Sequence, residues 1–479
     1  MTIGEQMKTL RTILLGCALA ASSAAFAQIP APAAMPPVDN KQLAHDIFRD
    51  IVEVHSVHDV GTKGVADILV KYLKAGGFSD ADIHVVPEDQ YPNQVNVVVR
   101  LKGRGQGKPV MWMGHMDVVE AKAEDWTLPP FKFTEKDGYF YGRGTSDMKD
   151  EDAAVAASLI RLKKEGFVPD RDIIVVFTAD EEVGLEQDGP AFLLAKHRDL
   201  VDAGLLINPD GGSGEIVDGK RLDFGIETSQ KTYVTFTLDV TNKGGHSSEP
   251  RPDNAIYTLA NGLVKLSHYQ WPITLNATTR LYFSRMAQFE KGQTRADMLA
   301  VSGARPDMKA AERLTHDVPM NAILHSTCVA TMLQAGVQEN ALPAHAQATV
   351  QCRIMPNETP DGTRATIAKV VGDPLIRITP LGAVTSAPES PPEPRLFAKV
   401  TKVVDGMWPG VPVIPQMAAG ASDSIFTRNA GIPSYGIGGG WNDLHDLRMH
   451  GRDERHEMGD FYSTVEFTYR LMKELSKAD

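Results

Sequence analysis

Apolar, strand-like segments alternate with helical segments from about residue 41 onward, and this alternation limits the folds that the chain can adopt. The predicted elements of this first part are helices over 42–54, 64–75 and 151–165 and buried strands over 95–99, 110–113 and 173–177. Strands that alternate with helices favour a mostly parallel sheet with helices on both of its faces. The sequence therefore predicts a doubly wound α/β fold.

The pattern changes near residue 230, which indicates a second domain. Over 230–382 the predicted order is β-α-β-β-α-β, a ferredoxin-like α+β arrangement. Residues 268–320 interrupt this order with a polar, irregular stretch, so we expect an insertion there. The α/β pattern then returns over 383–479. We therefore predict one catalytic domain in two parts, 41–229 and 383–479, with the second domain inserted between them.

The first 27 residues have the pattern of an export signal. Two basic residues precede a short apolar stretch, and Ala25-Phe26-Ala27 forms a small-x-small cleavage site. A lipoprotein processed at Cys17 is the alternative, which ranks second because little apolar sequence precedes Cys17. Residues 28–40 are rich in Pro and Ala and are expected to be a linker. The expected location is therefore outside the cytoplasm, in the periplasm or secreted.

The net charge of −12 argues against two classes of partner. An acidic chain is not steered towards nucleic acid or anionic lipid, so neither is expected to bind. No segment after the signal is long and apolar enough to predict a membrane span.

Two cysteines, Cys328 and Cys352, remain after the predicted cleavage. They would face each other in a hairpin centred near Asn340 and could pair in an oxidising compartment. Two buried free thiols are the alternative, and the sequence does not decide between them.

Histidine and acidic residues stand at or just beyond the predicted strand ends, where an open α/β sheet binds its ligands. These residues are His115 and Asp117, Asp147 in a glycine-rich turn, Glu181 and Glu182, Asp210, and, late in the chain, His450. Each segment alone also fits a plain explanation, such as a surface histidine, a helix N-cap or a solvated acidic loop. Together they supply the histidine and carboxylate ligands of a catalytic zinc site.

Four motifs resemble a known family in order and spacing: His115-Met116-Asp117, the glycine-rich turn at 142–149, Asp180-Glu181-Glu182 and Gly244-Gly245-His246-Ser247-Ser248. The family is the zinc exopeptidases that include aminoacylase, succinyl-diaminopimelate desuccinylase, acetylornithine deacetylase and glutamate carboxypeptidase. The resemblance covers essentially the whole mature chain. The segment 125–144 and the insertion look most like the carboxypeptidase S and N-fatty-acyl-amino-acid hydrolase branch.

The resemblance implies two zinc ions per chain, with Co²⁺ or Mn²⁺ as possible substitutes. His115 and Asp210 would hold one ion, Glu182 and His450 the other, and Asp147 would bridge them. Many relatives have Glu where this chain has Asp210, which puts desuccinylase identity in doubt. His445 and His456 flank His450, which is preferred because its His-Gly-x-x-Glu context matches the family.

The resemblance also implies catalytic and substrate-binding roles, which fall on both domains. Asp117 would orient His115, Glu181 would act as general base, and His246 would stabilise the oxyanion. The implied substrate-binding residues are Asn340 and Arg353, for a free carboxylate, and Gly420 and Ser422, in a substrate-side loop.

The predicted function is therefore hydrolysis of an amide bond in a small peptide or N-acyl amino acid. The resemblance also implies that the inserted domain serves as a lid and dimerisation domain, so that the chain forms a homodimer through it. One alternative is a narrow-specificity N-acyl-amino-acid deacylase. A hydrolase with one catalytic and one structural metal is another. A non-catalytic binding protein of the same fold is the third.

Overall fold

The computed structural model describes residues 35–183, 188–356, 358–382, 386–418 and 420–478. The predicted signal at 1–27 and most of the predicted linker lie outside these residues. The prediction that the linker extends to residue 40 is wrong, because a helix begins at Val38. Val38 is exposed and adds nothing to the apolar spacing, whereas Asp39 in the first turn favours the helix start.

Helices and strands alternate in the first part of the chain, as the apolar pattern predicts. The helices are α1 Val38–Val52, α2 Lys63–Ala75, α3 Lys149–Lys164, α4 Gly189–Lys196 and α5 Arg198–Val201. The strands are β1 Ile83–Pro87, β2 Val95–Leu101, β3 Val110–His115, β4 Thr134–Lys136, β5 Tyr139–Tyr141, β6 Ile173–Thr178, β7 Leu205–Asn208, β8 Gly214–Val217 and β9 Lys220–Gln230.

The middle of the chain contains a second set of elements. Its helices are α6 Ala255–Ser267, α7 Ala277–Met286, α8 Gly292–Ser302, α9 Met308–Leu314, α10 Val318–Leu324 and α11 Pro360–Val371. Its strands are β10 Thr232–Thr241, β11 Gly245–His246, β12 Thr327–Ala335, β13 Ala341–Leu342, β14 His345–Ile354 and β15 Arg377–Leu381.

The last part returns to the first sheet. Its helices are α12 Pro394–Met407, α13 Ser424–Asn429 and α14 Met458–Leu475. Its strands are β16 Val413–Ala418, β17 Ser434–Gly436, β18 Trp441–Asp443 and β19 Arg455–Glu457. Of the helices given, none is long and apolar enough for a membrane crossing.

The main sheet has ten strands among the described residues, in the order β1-β2-β6-β3-β7-β17-β9-β8-β18, with β16 paired to β9. The central strands β6, β3, β7 and β17 pair in parallel, and antiparallel pairs occur on both sides of them. One face is covered by a core that includes α1, α3 and α14, and the other by a core that includes α4 and α5. The predicted doubly wound α/β fold, with its mainly parallel centre, is confirmed.

The inserted domain contains a four-stranded antiparallel sheet in the order β12-β14-β10-β15. Alternate residues of β14 are buried, and they pack with α6 and α11 in one apolar core. This sheet and its two helices give the predicted ferredoxin-like arrangement. The domain boundaries at 229/230 and 382/383 remain predictions, and the second lies beside undescribed residues.

The expectation of an irregular insertion over 268–320 is wrong. This stretch forms most of four helices, α7 to α10, which share an apolar core with Phe283 and Val301 fully buried. The side chain of Asn276 caps α7, and those of Asp307 and Asp317 cap α9 and α10. These short helices contain many polar residues, so their apolar spacing is weak, and burial against one another and Ile414 of β16 is what defines them.

Cys328 and Cys352 are directly opposite each other on β12 and β14, and they form a disulfide bond. The choice that the sequence left open is therefore settled by strand register. The bond joins the edge strand β12 to the core of the inserted domain, where Cys352 is fully buried.

We expect Cys328→Ala/Cys352→Ala to lower the free energy of unfolding of this domain by about 2–4 kcal/mol, since the cross-link restricts the unfolded chain. Chemical denaturation measures the change. The parent protein under reducing conditions should lose a similar amount, and a loss below about 0.5 kcal/mol would contradict a stabilising bond.

Candidate metal centre and active site

The side chains predicted to bind metal converge at one edge of the main sheet. His115 is the last residue of β3, and Asp210 lies two residues beyond β7. Glu182 follows β6 by four residues, and Asp147 occupies the turn before α3. His450 comes from the loop between β18 and β19. The parallel strands β3, β6 and β7 bring His115, Glu182 and Asp210 together because their carboxyl ends meet at the same edge, whereas Asp147 and His450 reach this edge from loops.

Two groups of potential ligand atoms share the carboxylate of Asp147. In the first group, ligand atoms of His115, Asp147 and Asp210 lie within 4.8 Å of one another, and the second joins Asp147 to Glu182 and His450 in the same way. Within these groups, the Nε2 of His115 is 3.2 Å from Asp147 Oδ1. The Nε2 of His450 is 2.8 Å from Asp147 Oδ2 and 3.0 Å from Glu182 Oε1.

The chemistry of these two groups fits a pair of divalent cations. Each group combines one imidazole nitrogen with two carboxylates, the donor types that zinc accepts at catalytic sites. A carboxylate with one oxygen in each group can serve two ions at once. His115 and Asp147 are buried, so their charges would need a partner to offset the cost of desolvation.

Asp117 joins the His115 strand to the loop that carries the two glutamates. Its Oδ1 accepts a hydrogen bond from the backbone N–H of Glu181 at 3.2 Å, and its Oδ2 accepts one from that of Glu182 at 3.0 Å. The Nδ1 of His115 is 3.1 Å from the backbone oxygen of Asp117 and 3.6 Å from its carboxylate. The backbone oxygen is therefore the nearer partner for the imidazole, and the carboxylate holds the glutamate loop.

The surroundings of Glu181 increase the proton affinity of its carboxylate. Burial raises the pKa of Glu181 well above that of a free glutamate; the charges of Asp210, Asp423 and Glu182 also raise it, and His115 opposes them. Its side chain also belongs to a third group of potential ligands, with His115 and Glu182. A carboxylate with a raised pKa takes up a proton readily, which suits general-base catalysis near neutral pH.

A buried ion pair lies beside the proposed metal ligands, and the sequence analysis did not predict it. Arg143 donates to the Oε2 of Glu454, which is fully buried, and Glu454 Oε1 accepts from the backbone N–H of Ser146 at 2.8 Å. Arg143 also donates to the backbone oxygen of His450 at 3.4 Å. The pair thus links the turn that carries Asp147 to the loop that carries His450. The Glu of the His-Gly-x-x-Glu context was visible in the sequence, but its partner was not.

The substrate-side loop is anchored to the end of β9 by the side chain of Ser422. Ser422 is buried and donates through its hydroxyl to Gln230 Oε1 at 3.1 Å, while Gly420 is exposed in a bend. The next residue, Asp423, accepts a hydrogen bond from the Thr178 hydroxyl at 2.9 Å. Burial raises the pKa of Asp188 well above that of a free aspartic acid, and the nearby charge of Asp423 raises it further. This cluster of acidic groups is a second feature that the sequence alone did not reveal.

The remaining predicted residues lie on the inserted domain, and the three ligand groups found among the described residues do not include them. His246 is exposed, and its Nδ1 is 2.7 Å from the hydroxyl of Ser248. Strand β11 pairs with β13, which places Asn340 beside it: the N–H of Ser247 donates to the backbone oxygen of Asn340 at 3.1 Å. Arg353 lies on β14, and its guanidinium is 4.5 Å from the centre of the Tyr233 ring.

Comparisons with known proteins identify the family and the fold of this chain. The family model described as peptidase family M20/M25/M40 matches residues 111–474. N-fatty-acyl-amino acid synthase/hydrolase PM20D1.1 of Danio rerio is 28% identical over 381 residues, covering 76% of this chain and 72% of that protein. "Probable carboxypeptidase S-like 2" of Dictyostelium discoideum is 28% identical over 413 residues, covering 80% and 75%.

A solved structure has the same fold. The M20 family metallo-carboxypeptidase Sso-CP2 from Sulfolobus solfataricus superposes with a TM-score of 0.67 at 16% identity, covering 90% of this chain and 99% of that chain.

Proposed function

This chain belongs to peptidase family M20/M25/M40, and we propose that it cleaves an amide bond in a small peptide or N-acyl amino acid with a free carboxylate. The enzyme class predicted from the motifs is confirmed: the chain is a hydrolytic metallopeptidase or amidohydrolase. The main support for a two-metal site that cleaves such a bond is that two groups of potential ligands share Asp147.

The proposed metal pair would be zinc, with His115 and Asp210 on one ion, Glu182 and His450 on the other, and Asp147 between them. When bound, two such ions supply Lewis acidity to the scissile carbonyl and make an attacking water more acidic. Asp117 would hold the glutamate loop in place through the two backbone amides that it accepts.

Glu181 would move the proton. Its raised pKa lets the carboxylate take a proton from the attacking water and deliver it to the nitrogen of the leaving amine. Arg353 and Asn340 would grip the substrate carboxylate, a task that suits the planar guanidinium fork. Gly420 and Ser422 would border the substrate from the catalytic domain.

The proposal is tested by metal analysis of the purified protein together with hydrolysis of a panel of dipeptides and N-acyl amino acids. We expect about two zinc ions per chain and turnover of at least one substrate class. Turnover confined to N-acyl amino acids would favour the narrow deacylase alternative. Full activity with about one ion would favour the one-metal alternative, and absence of both metal and turnover would refute the proposal.

We expect His246→Ala to lower kcat by about 10²- to 10³-fold without loss of metal, since an oxyanion donor acts on the transition state. His246 lies outside the ligand groups, so metal content should not change. Steady-state kinetics with metal analysis measures both. His345→Ala, on the same domain, is the control and should stay near parent activity; zinc loss in His246→Ala would show that this role is misplaced.

The inserted domain also has a surface suited to a homodimer. Strand β12 is an edge of the four-stranded sheet, and Val329, Met332 and Leu333 on it are all more than half exposed. An exposed apolar edge strand invites pairing with another chain. We expect sedimentation to show a dimer that Leu333→Lys dissociates. Val318→Lys, at an exposed site on α10, is the matched control, and a parent that sediments as a monomer would rule out this dimer.

A further inference from the structure

The turn that carries Glu181 and Glu182 begins at a residue in an unfavourable backbone conformation. Asp180 has a φ of +65°, in the left-handed region that side chains other than glycine seldom adopt. Its side chain is also buried, with 2% of the residue exposed. A conformation of this kind persists only when surrounding contacts hold it. The contacts around Asp180 therefore determine where Glu181 points.

Two of these contacts hold the backbone of the turn. The carboxylate of Asp117 accepts the N–H groups of Glu181 and Glu182. The N–H of Ala179 donates to Asn96 Oδ1 at 3.1 Å on the preceding side. Neither contact reaches the side chain of Asp180, which needs a partner of its own because a buried carboxylate without one is costly.

His58 supplies that partner. Its Nδ1 is 3.0 Å from Asp180 Oδ1, while Asp180 Oδ2 is buried without a hydrogen bond to any residue that the structure describes. The backbone oxygen of His58 accepts from the Gln94 side chain at 2.9 Å, which fixes the loop that presents the ring. The hydrogen bond to Asp180 raises the pKa of His58, so the ring tends to carry the charge that the carboxylate needs.

We propose that His58 is a positioning residue for catalysis, which holds the turn at Asp180 so that Glu181 faces the reacting atoms. The catalytic part of this proposal rests on the proposed function, because that function gives Glu181 its role. The hydrogen bond from His58 to Asp180, which we call the clamp, restrains the turn whatever the function is. His58 lies outside the ligand groups and on a different segment from Glu181, and its side-chain hydrogen bond to Asp180 is the contact through which it would act.

The geometry allows a matched set of variants. The side-chain amide nitrogen of Asn lies close to the position of histidine Nδ1, so His58→Asn keeps the donor. In His58→Gln the donor lies about one bond farther out, and His58→Ala has none. His55→Ala is the control, because His55 lies on the same loop but is exposed, and its contacts are with Glu120 at 3.5 Å and with the ring of Phe131 rather than with Asp180.

We expect His58→Ala and His58→Gln to lower kcat by about 10- to 100-fold, with KM within about twofold and metal content unchanged, since misorientation affects the chemical step. His58→Asn should stay within about threefold of the parent, as should His55→Ala. A kcat for His58→Ala equal to that of the parent, or an equal loss in the Asn and Ala variants, would overturn the proposal. So would loss of metal from His58→Ala.

Hydrogen exchange of a peptide that covers 173–183 provides a readout independent of turnover. Exchange in this peptide should be faster in His58→Ala than in the parent and should return to the parent rate in His58→Asn. If the parent hydrolyses no substrate but exchange follows this pattern, the proposed function fails and the clamp stands. If exchange is the same in all variants, the clamp is refuted whatever the activity.

Discussion

Glu181→Gln should lose turnover by about 10²- to 10⁴-fold while it keeps its metal and its fold, which is the range that a general base contributes. The amide of Gln is nearly the same size as the carboxylate, so the packing around it should change little. It cannot accept a proton from water, however, and it cannot protonate the leaving amine. The measurements are kcat with the substrate found in the panel, metal content and thermal stability of the purified variant.

The control for this change is Glu312→Gln, the same substitution at an exposed position on α9. Its kcat should equal that of the parent. If Glu181→Gln turned over substrate at a near-normal rate, Glu181 would have no part in proton transfer. If it lost metal, Glu181 would be a ligand, which its place in the third ligand group also allows.

Asp147→Asn should strongly reduce both metal content and activity, because Asp147 is the residue shared by the two ligand groups proposed to hold the two ions. We expect metal content to fall from about two ions per chain to one or fewer, with a loss of activity of at least about a hundredfold. An amide offers one oxygen and no negative charge, so it cannot replace an oxygen in each group. Metal analysis after dialysis and steady-state kinetics measure the two effects.

Asp361→Asn, at an exposed position on α11, is the matched control and should keep both metal and activity. A variant at Asp147 that retained two ions would show that this carboxylate does not bridge them. Loss of activity with full metal content would instead assign Asp147 to the chemistry of the reaction.

The contacts that hold the loops around Glu181 and Asp147 could not be predicted from sequence motifs, although the motifs named the candidate site residues themselves. Arg143 and Glu454 are separated by 311 residues, and Asp117 contacts the amides of Glu181 and Glu182 across 64 and 65 residues. A motif shows which residue types occur together along the chain. It does not show which carboxylate turns towards a backbone amide, because that depends on how two loops approach each other in space.

The helices of the insertion at 268–320 were likewise not predictable from local sequence. Its helices are short and polar, so local spacing gave a weak signal, and burial of Phe283 and Val301 against neighbouring helices makes them stable. In the same way, Cys328 and Cys352 were compatible with free thiols until strand register set them opposite each other. The contact between His58 and Asp180 joins residues 122 positions apart and leaves no local pattern.

The amino-acid sequence alone was enough to predict the α/β class, the ferredoxin-like arrangement of strands and helices, the family and the acidic and histidine residues at the strand ends. These follow from local periodicity and from motifs, since apolar spacing selects helices and strands and parallel strands bring their carboxyl ends together. The disulfide bond, the helices of the insertion, the Arg143–Glu454 pair and the His58–Asp180 contact became apparent only in three dimensions. Each of these features depends on contacts between residues that are far apart in the chain. Such contacts stabilise the protein only after folding has brought the distant segments together.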